Sequence, residues 1–174
     1  MRKILVFTAV LFIANTTLVS AQKYKQDFNN TISIVFPDTP KITTLTRGVL
    51  FTAYVVKKEP NSFGAVITKL DTAALPMKTD GELTSLYKGI ISGATNDTAN
   101  VKVLYEKDIS IAGHKAIDFK MINTKNAQKP TSLYQRAVYI EPYIYMFVYS
   151  TTDDSDQNHV SGSIFLDSVS VIKQ

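Results

Sequence analysis

The stretch LYQRAVYIEPYIYMFVY, residues 133–149, decides the architecture. Residues 133–140 and 143–149 are rich in Val, Ile, Tyr and Phe, and Glu141-Pro142 between them supplies a turn, so the pair reads as a β-hairpin. Both alternating faces of the second strand are apolar: Tyr143, Tyr145, Phe147 and Tyr149 on one, Ile144, Met146 and Val148 on the other. A strand apolar on both sides has to be covered on both sides. A two-layer arrangement leaves one of those faces wet, so an antiparallel sheet with helices on each face is expected.

Working outward, Ile32, Ile34 and Phe36 alternate with Ser33 and Val35 until Pro37-Asp38-Thr39-Pro40 stops the strand. Residues 49–57 and 63–70 are two further runs joined by the turn-rich 58–62, an antiparallel hairpin. Residues 71–78 contain Leu75-Pro76 and no sustained period, and read as a loop. The clearest helix follows. Leu83, Leu86, Tyr87, Ile90 and Ile91 form a stripe one helix face wide, with Glu82, Ser85, Lys88 and Ser92 off it. Thr79 and Glu82 have the spacing of a reciprocal capping box, and Gly93 marks the expected exit.

Beyond the polar residues 95–100, the alternating runs 101–105 and 117–121 flank Ala112-Gly113 and predict a second hairpin. Residues 123–132 read as an exposed loop. A second helix is expected after Asp153-Asp154-Ser155-Asp156, which offers N-cap chemistry, with Val160, Ile164, Ser161 and Phe165 turned inward. Residues 169–172 then form a last short strand.

The address of the chain is written in residues 1–21: Arg2 and Lys3, an apolar run over 4–14 too short for a bilayer core, and Val19-Ser20-Ala21 as a small-residue cleavage site. A secretory leader is expected, with the mature single domain running from Gln22 to Gln174. Losing Arg2 and Lys3 takes the basic residues from 19 to 17 against 15 acids, a mature net charge of +2. The lysines are scattered rather than striped, which argues against nucleic acid as a partner. No later apolar run is long enough to span a bilayer, so no membrane insertion is expected after leader removal. The chain has no cysteine, which excludes disulfides, thiol catalysis and a lipidated Cys anchor, and fits a periplasmic or secreted bacterial protein.

Catalytic chemistry is thin. His114 and His159 lack paired-ligand spacing, so no metal or cofactor is expected. A hydrolase could combine a serine such as Ser161 with either histidine and Asp153, Asp154 or Asp156, yet no GxSxG elbow is present. Asp154-Ser155-Asp156-Gln157-Asn158 opens like a calcium loop, but His159 and Phe165 stand where Gly and Glu are needed. The candidate ligand-binding residues are the tyrosines crowding one hairpin, Tyr134, Tyr139, Tyr143, Tyr145 and Tyr149, whose ordinary role is core packing.

The order of elements resembles PsbP-like domains: Phe28 followed by Ile32-Ser33-Ile34-Val35-Phe36-Pro37, a strand pair, a capped helix, the hairpin around Ile109-Ser110-Ile111-Ala112-Gly113-His114-Lys115-Ala116, an aromatic hairpin, and a helix leading to a short strand. That resemblance spans residues 28–172 and implies an α/β fold of the α+β type, an antiparallel sheet flanked by helices in an α/β/α sandwich. It also implies an accessory or binding protein without catalytic residues. The functional expectation is an exported non-enzymatic domain that contacts another envelope or secreted protein. The alternatives are a small-ligand binder using the tyrosine-rich hairpin and the loop 123–132, and, behind it, a hydrolase.

Overall fold

A computed structural model describes residues 23–47, 49–71, 79–96 and 100–172. The leader expected at 1–21 and all but Asp71 of the loop expected at 71–78 lie outside the described residues. In chain order the elements are β1 (Tyr24–Phe28), β2 (Ile32–Phe36), β3 (Lys41–Arg47), β4 (Val49–Lys58), β5 (Asn61–Lys69), α1 (Asp80–Asn96), β6 (Val101–Ile111), β7 (His114–Asn123), β8 (Thr131–Ile140), β9 (Tyr143–Thr151), α2 (Asp156–Asp167) and β10 (Ser170–Val171). Seven strands form one antiparallel sheet in the order β3-β4-β5-β9-β8-β7-β6, and β1-β2-β10 form a second, three-stranded sheet.

The double-sided hairpin sits at the middle of the large sheet and organises two cores. On one face Tyr145, Phe147 and Tyr149 are fully buried beneath α2 and the small sheet, among Ile32, Ile34, Phe36, Phe63 and Phe165. On the other, Tyr87 and Ile91 of α1 pack on Ile117, Phe119, Met121 and Ala137, with Met146 at the border. Cover is therefore present on both faces, as the hairpin requires, but it is unequal. One face carries a helix together with three strands, whereas Ile144 and Val148 on the α1 face stay half-buried because α1 packs over β6, β7 and β8.

The predicted hairpins form in continuous register, Phe51↔Thr68 to Lys58↔Asn61 for β4 and β5, and Ile140↔Tyr143 outward for β8 and β9. Between β6 and β7 the two-residue loop has φ of 49° at Ala112 and 89° at Gly113, the left-handed pair of a type I′ turn. Asn29 and Asn30, at φ 52° and 54°, are likewise left-handed in the three-residue loop between β1 and β2, where Thr31 N donates to Phe28 O at 2.9 Å. The capping box is formed: Thr79 N donates to Glu82 Oε2 at 2.8 Å and Glu82 N to Thr79 Oγ1 at 3.2 Å. The helix does not leave at Gly93, however. It continues to Asn96, because the backbone at Gly93 stays out of the left-handed region that a glycine exit uses.

The inward face of α2 includes Phe165 as expected, but not Val160 or Ile164. Val160 and Ile164 are 58% and 60% exposed, and the buried positions are Asn158, Gly162, Phe165 and Leu166. Gly162 is the reason. A Cβ there would meet the Tyr149 ring, 2.5 Å from Cε1 and 3.0 Å from Cγ, so the helix approaches the sheet along its one side-chain-free position. Nor does an acidic side chain cap this helix. Ser155 is the N-cap in an extended conformation without a side-chain cap bond, and its hydroxyl accepts from Asn158 Nδ2 at 3.0 Å.

The stability of three variants checks these assignments. Gly162→Ala is expected to cost about 1–3 kcal/mol by forcing the helix off Tyr149, whereas Gly93→Ala, whose Cβ meets nothing within 4 Å, should gain roughly 0.5–1 kcal/mol in helix propensity. Equal effects in urea unfolding would refute the close approach. Ala112→Asn should raise stability by about 0.5–1 kcal/mol, since asparagine tolerates positive φ better than alanine; an unchanged or lower urea midpoint would refute the left-handed assignment.

Candidate functional site

Between α2 and the β6-β7-β8 side of the large sheet lies a polar cleft of about 260 Å³ lined by Tyr105, Asp118, Tyr134, Arg136, His159 and Asp167, with Tyr149 and Gly162 on its floor. Strand alternation builds it. Asp118 and Lys120 on β7 and Tyr134 and Arg136 on β8 all point to the α2 face, and the register sets Asp118 opposite Arg136 and Lys120 opposite Tyr134. Tyr105 joins them because β6 is irregular between Val103 and Tyr105. Val101 and Val103 face α1, and past the irregularity Tyr105 and Ile109 face α2.

Arg136 closes one end of the cleft. Its guanidinium donates from Nε and Nη2 to Asp118 Oδ2 at 3.1 and 2.9 Å, and from Nη1 to the Leu166 carbonyl at 2.9 Å and Asp167 Oδ1 at 3.0 Å. Leu166 is in the last turn of α2, where carbonyls lack partners along the helix and a cation meets the negative end of its dipole. Tyr105 donates its hydroxyl to the other oxygen of Asp118 at 2.8 Å.

The other end is centred on Asp154, in the turn before α2. Tyr134 donates to its Oδ1 at 2.8 Å, His159 Nε2 lies 2.6 Å from the same oxygen, and Lys120 Nζ is 3.2 Å from Oδ2 and 4.5 Å from the centre of the Tyr134 ring. Because a carboxylate only accepts, His159 Nε2 carries the hydrogen. Partial burial opposes ionisation of Asp154, but hydrogen bonds from Tyr134, Lys120 and His159 outweigh it and hold the carboxyl below its ordinary range. The Tyr105 and Tyr134 phenols are pushed upward, first by burial and then by their bonds to Asp118 and Asp154, so both remain protonated donors. Beneath them Tyr149 donates toward Asn61 Oδ1 at 2.8 Å and the Asn158 carbonyl at 2.7 Å, while Asn61 Nδ2 donates to Asn158 Oδ1 at 2.8 Å.

Of the tyrosines the sequence singles out, only Tyr134 and Tyr149 meet here, with ring centroids 5.8 Å apart. Tyr143 and Tyr145 lie farther along β9 with ring centroids 5.9 Å apart and planes tilted by 45°, and Tyr145 is fully buried. Tyr139 sits on the opposite face of β8, where its backbone N–H donates to the Tyr87 hydroxyl at 3.0 Å. Tyr105, Asp118 and Arg136 are not among the residues that the sequence singles out for a site. For Asp118 and Arg136 the signal is a charge at an inward strand position, visible only once the strands are paired, and for Tyr105 it is the irregularity in β6. The serine named for a hydrolase, Ser161, donates to Gln157 O of its own helix at 3.0 Å rather than to a histidine. His114 lies away from this cleft, beside Tyr139 and Glu141. Among the described residues no three His, Cys, Asp or Glu side chains are grouped to hold a metal, and no helix is long and apolar enough to cross a membrane.

No protein-family model and no curated protein sequence matches the chain. Solved structures do. The solution structure of cyanobacterial PsbP (CyanoP) from Synechocystis sp. PCC 6803 is similar with a TM-score of 0.62 at 11% identity, covering 89% of this chain and 95% of that one. Two Pseudomonas aeruginosa proteins are more distant: PA94, of unknown function, at a TM-score of 0.46 and 14% identity over 80% of this chain and 89% of that one, and the type VI secretion immunity protein TplEi at 0.47 and 10% over 71% and 45%. The cyanobacterial likeness, carried by the antiparallel sheet and its flanking helices, gives this chain the PsbP-like fold.

Proposed function

We propose that this chain is an exported, non-enzymatic accessory domain that works by binding another protein of the envelope or secreted fraction. The observation that carries the reading is the outward face of α2. Val160 and Ile164, one turn apart, are 58% and 60% exposed, although the same helix buries a glycine and an asparagine. Ile164 lines an apolar groove of about 450 Å³ walled by Phe36, Pro37, Phe63 and Phe165, with Lys23 and Lys58 at its rim. A groove of this kind fits an apolar side chain of a partner, and burying one aliphatic side chain there contributes about 1.5–3 kcal/mol. The leader in residues 1–21 supports export, and the mutual pairing of the cleft's ionised groups supports a positioning role for them rather than a reactive one.

Crosslinking in the producing cell tests this. The chain should be recovered from the exported fraction with Gln22 as its first residue and in a defined complex. Replacing Val160 and Ile164 together by Glu should abolish that complex and leave folding stability within about 0.5 kcal/mol per substitution, as at exposed sites. A chain retained with residues 1–21, or a complex indifferent to the two glutamates, would overturn the reading.

The polar cleft favours a second reading, a small polar ligand held against the half-exposed Tyr105 ring, which is 43% exposed. A ligand at a hundred times its dissociation constant should add about 2.7 kcal/mol of stability. The absence of any thermal shift across sugars, peptides and lipids would exclude it.

A further inference from the structure

The two edges of the seven-stranded sheet are built differently. β6, at one end, departs from regular pairing between Val103 and Tyr105 and carries Lys102, Glu106, Lys107 and Asp108. Irregular pairing and charges are the devices that stop another strand from adding to an edge. β3, at the other end, is regular and carries charge only at its two terminal residues, Lys41 and Arg47. It pairs with β4 without a break from Lys41↔Val55 to Arg47↔Val49, and residues 42–46 hold no charge, proline or glycine. Its far side has no strand partner among the described residues, so a regular row of backbone N–H and C=O groups faces outward.

The side chains along this edge are those of a strand awaiting a neighbour. Ile42 is 57% exposed and Leu45 51% exposed, and, being three residues apart, they stand on opposite faces of the sheet. Leu50, at the register position opposite Thr46 and 51% exposed, extends the Ile42 face. An added strand would therefore find one apolar contact above the sheet and one below.

A second copy of this chain fits poorly. The two-fold antiparallel register that matches all seven residues of β3 is centred on Thr44. It opposes Lys41 to Arg47 at both ends and sets Ile42 and Leu45 against threonines. Like charges directly opposite are destabilising, and opposite charges are favourable. We propose that β3 is a docking edge for an extended segment of another protein, acidic at its two ends with apolar residues three apart between them, which adds to the sheet antiparallel to β3. Main-chain hydrogen bonds supply the attraction in this mode, and alternate side chains supply the selectivity. The proposal stands independently of the α2 face.

The test uses the end-blocked peptide Glu-Thr-Val-Thr-Thr-Val-Glu and its counterpart with lysine at both ends, titrated into the ¹⁵N-labelled mature chain. Amide shifts on adding the acidic peptide should centre on residues 41–47, and the lysine peptide should bind about tenfold more weakly, as two reversed charge pairs imply. In the double variant Lys41→Glu, Arg47→Glu, with the fold checked by its amide spectrum, the preference should invert. Absence of binding, equal affinity for the two peptides, shifts centred on β6 or α2, or a β3-to-β3 dimer that excludes the peptide would each overturn the proposal. The variant with Val160→Glu and Ile164→Glu should bind the acidic peptide like the unmodified chain, so the two surfaces stand or fall separately.

Discussion

The placement of α2 depends on one contact, the backbone of Gly162 lying on the ring of Tyr149. Interiors are close-packed, so a helix can approach a sheet this closely only where it offers no side chain. With Gly162 at the point of contact, the positions one turn either side, Asn158 and Leu166, turn inward as well, and Val160 and Ile164 are rotated out to solvent. The polar cleft, the apolar groove beside Phe165 and the outward apolar pair all follow from that single rotation.

Polar groups then fix the helix at both ends. At its start Asn158 is held by Asn61, Asp153 and Ser155, with Tyr149 donating to its carbonyl. At its finish Arg136 satisfies a last-turn carbonyl while paired to Asp118. The Arg136 and Asp118 side chains keep 17% and 14% of their exposure, so their attraction is largely offset by lost hydration. The value of such a pair lies in position: only one placement of α2 satisfies the guanidinium, both carboxylates and the helix terminus together. Hydrophobic burial supplies the stability, and this network fixes the two ends of the helix whose buried face the Gly162 contact sets.

The same separation of tasks runs through the sheet. Its central strand β9 is apolar along most of both faces and specifies a covered, two-core body, while its edges differ from each other in regularity and charge. β6 is irregular and charged; β3 is regular and neutral along its middle. Neither difference affects the core.

What the sequence determined by itself is whatever local periodicity and burial dictate. The double-sided run 143–149 required cover on both faces, the alternating runs flanking Ala112-Gly113 required a hairpin, and Thr79 with Glu82 required a helix start. β3 was illegible for a physical reason: its residues are solvated on both faces at a sheet edge, so Ile42 and Leu45 follow no period of two. β1, short and mostly polar, was hidden likewise. Phe165 of α2 turns inward as its apolar character predicts, but Val160 and Ile164 do not, because the rule that apolar residues turn inward ignores contact distance, and contact distance makes Gly162 the point of approach. The polar cleft depends on strand order and register, which bring together Tyr105, Asp118 and Arg136 from three strands. Only the tertiary structure decided it, because pairing between distant segments leaves no trace in the local pattern of any one of them.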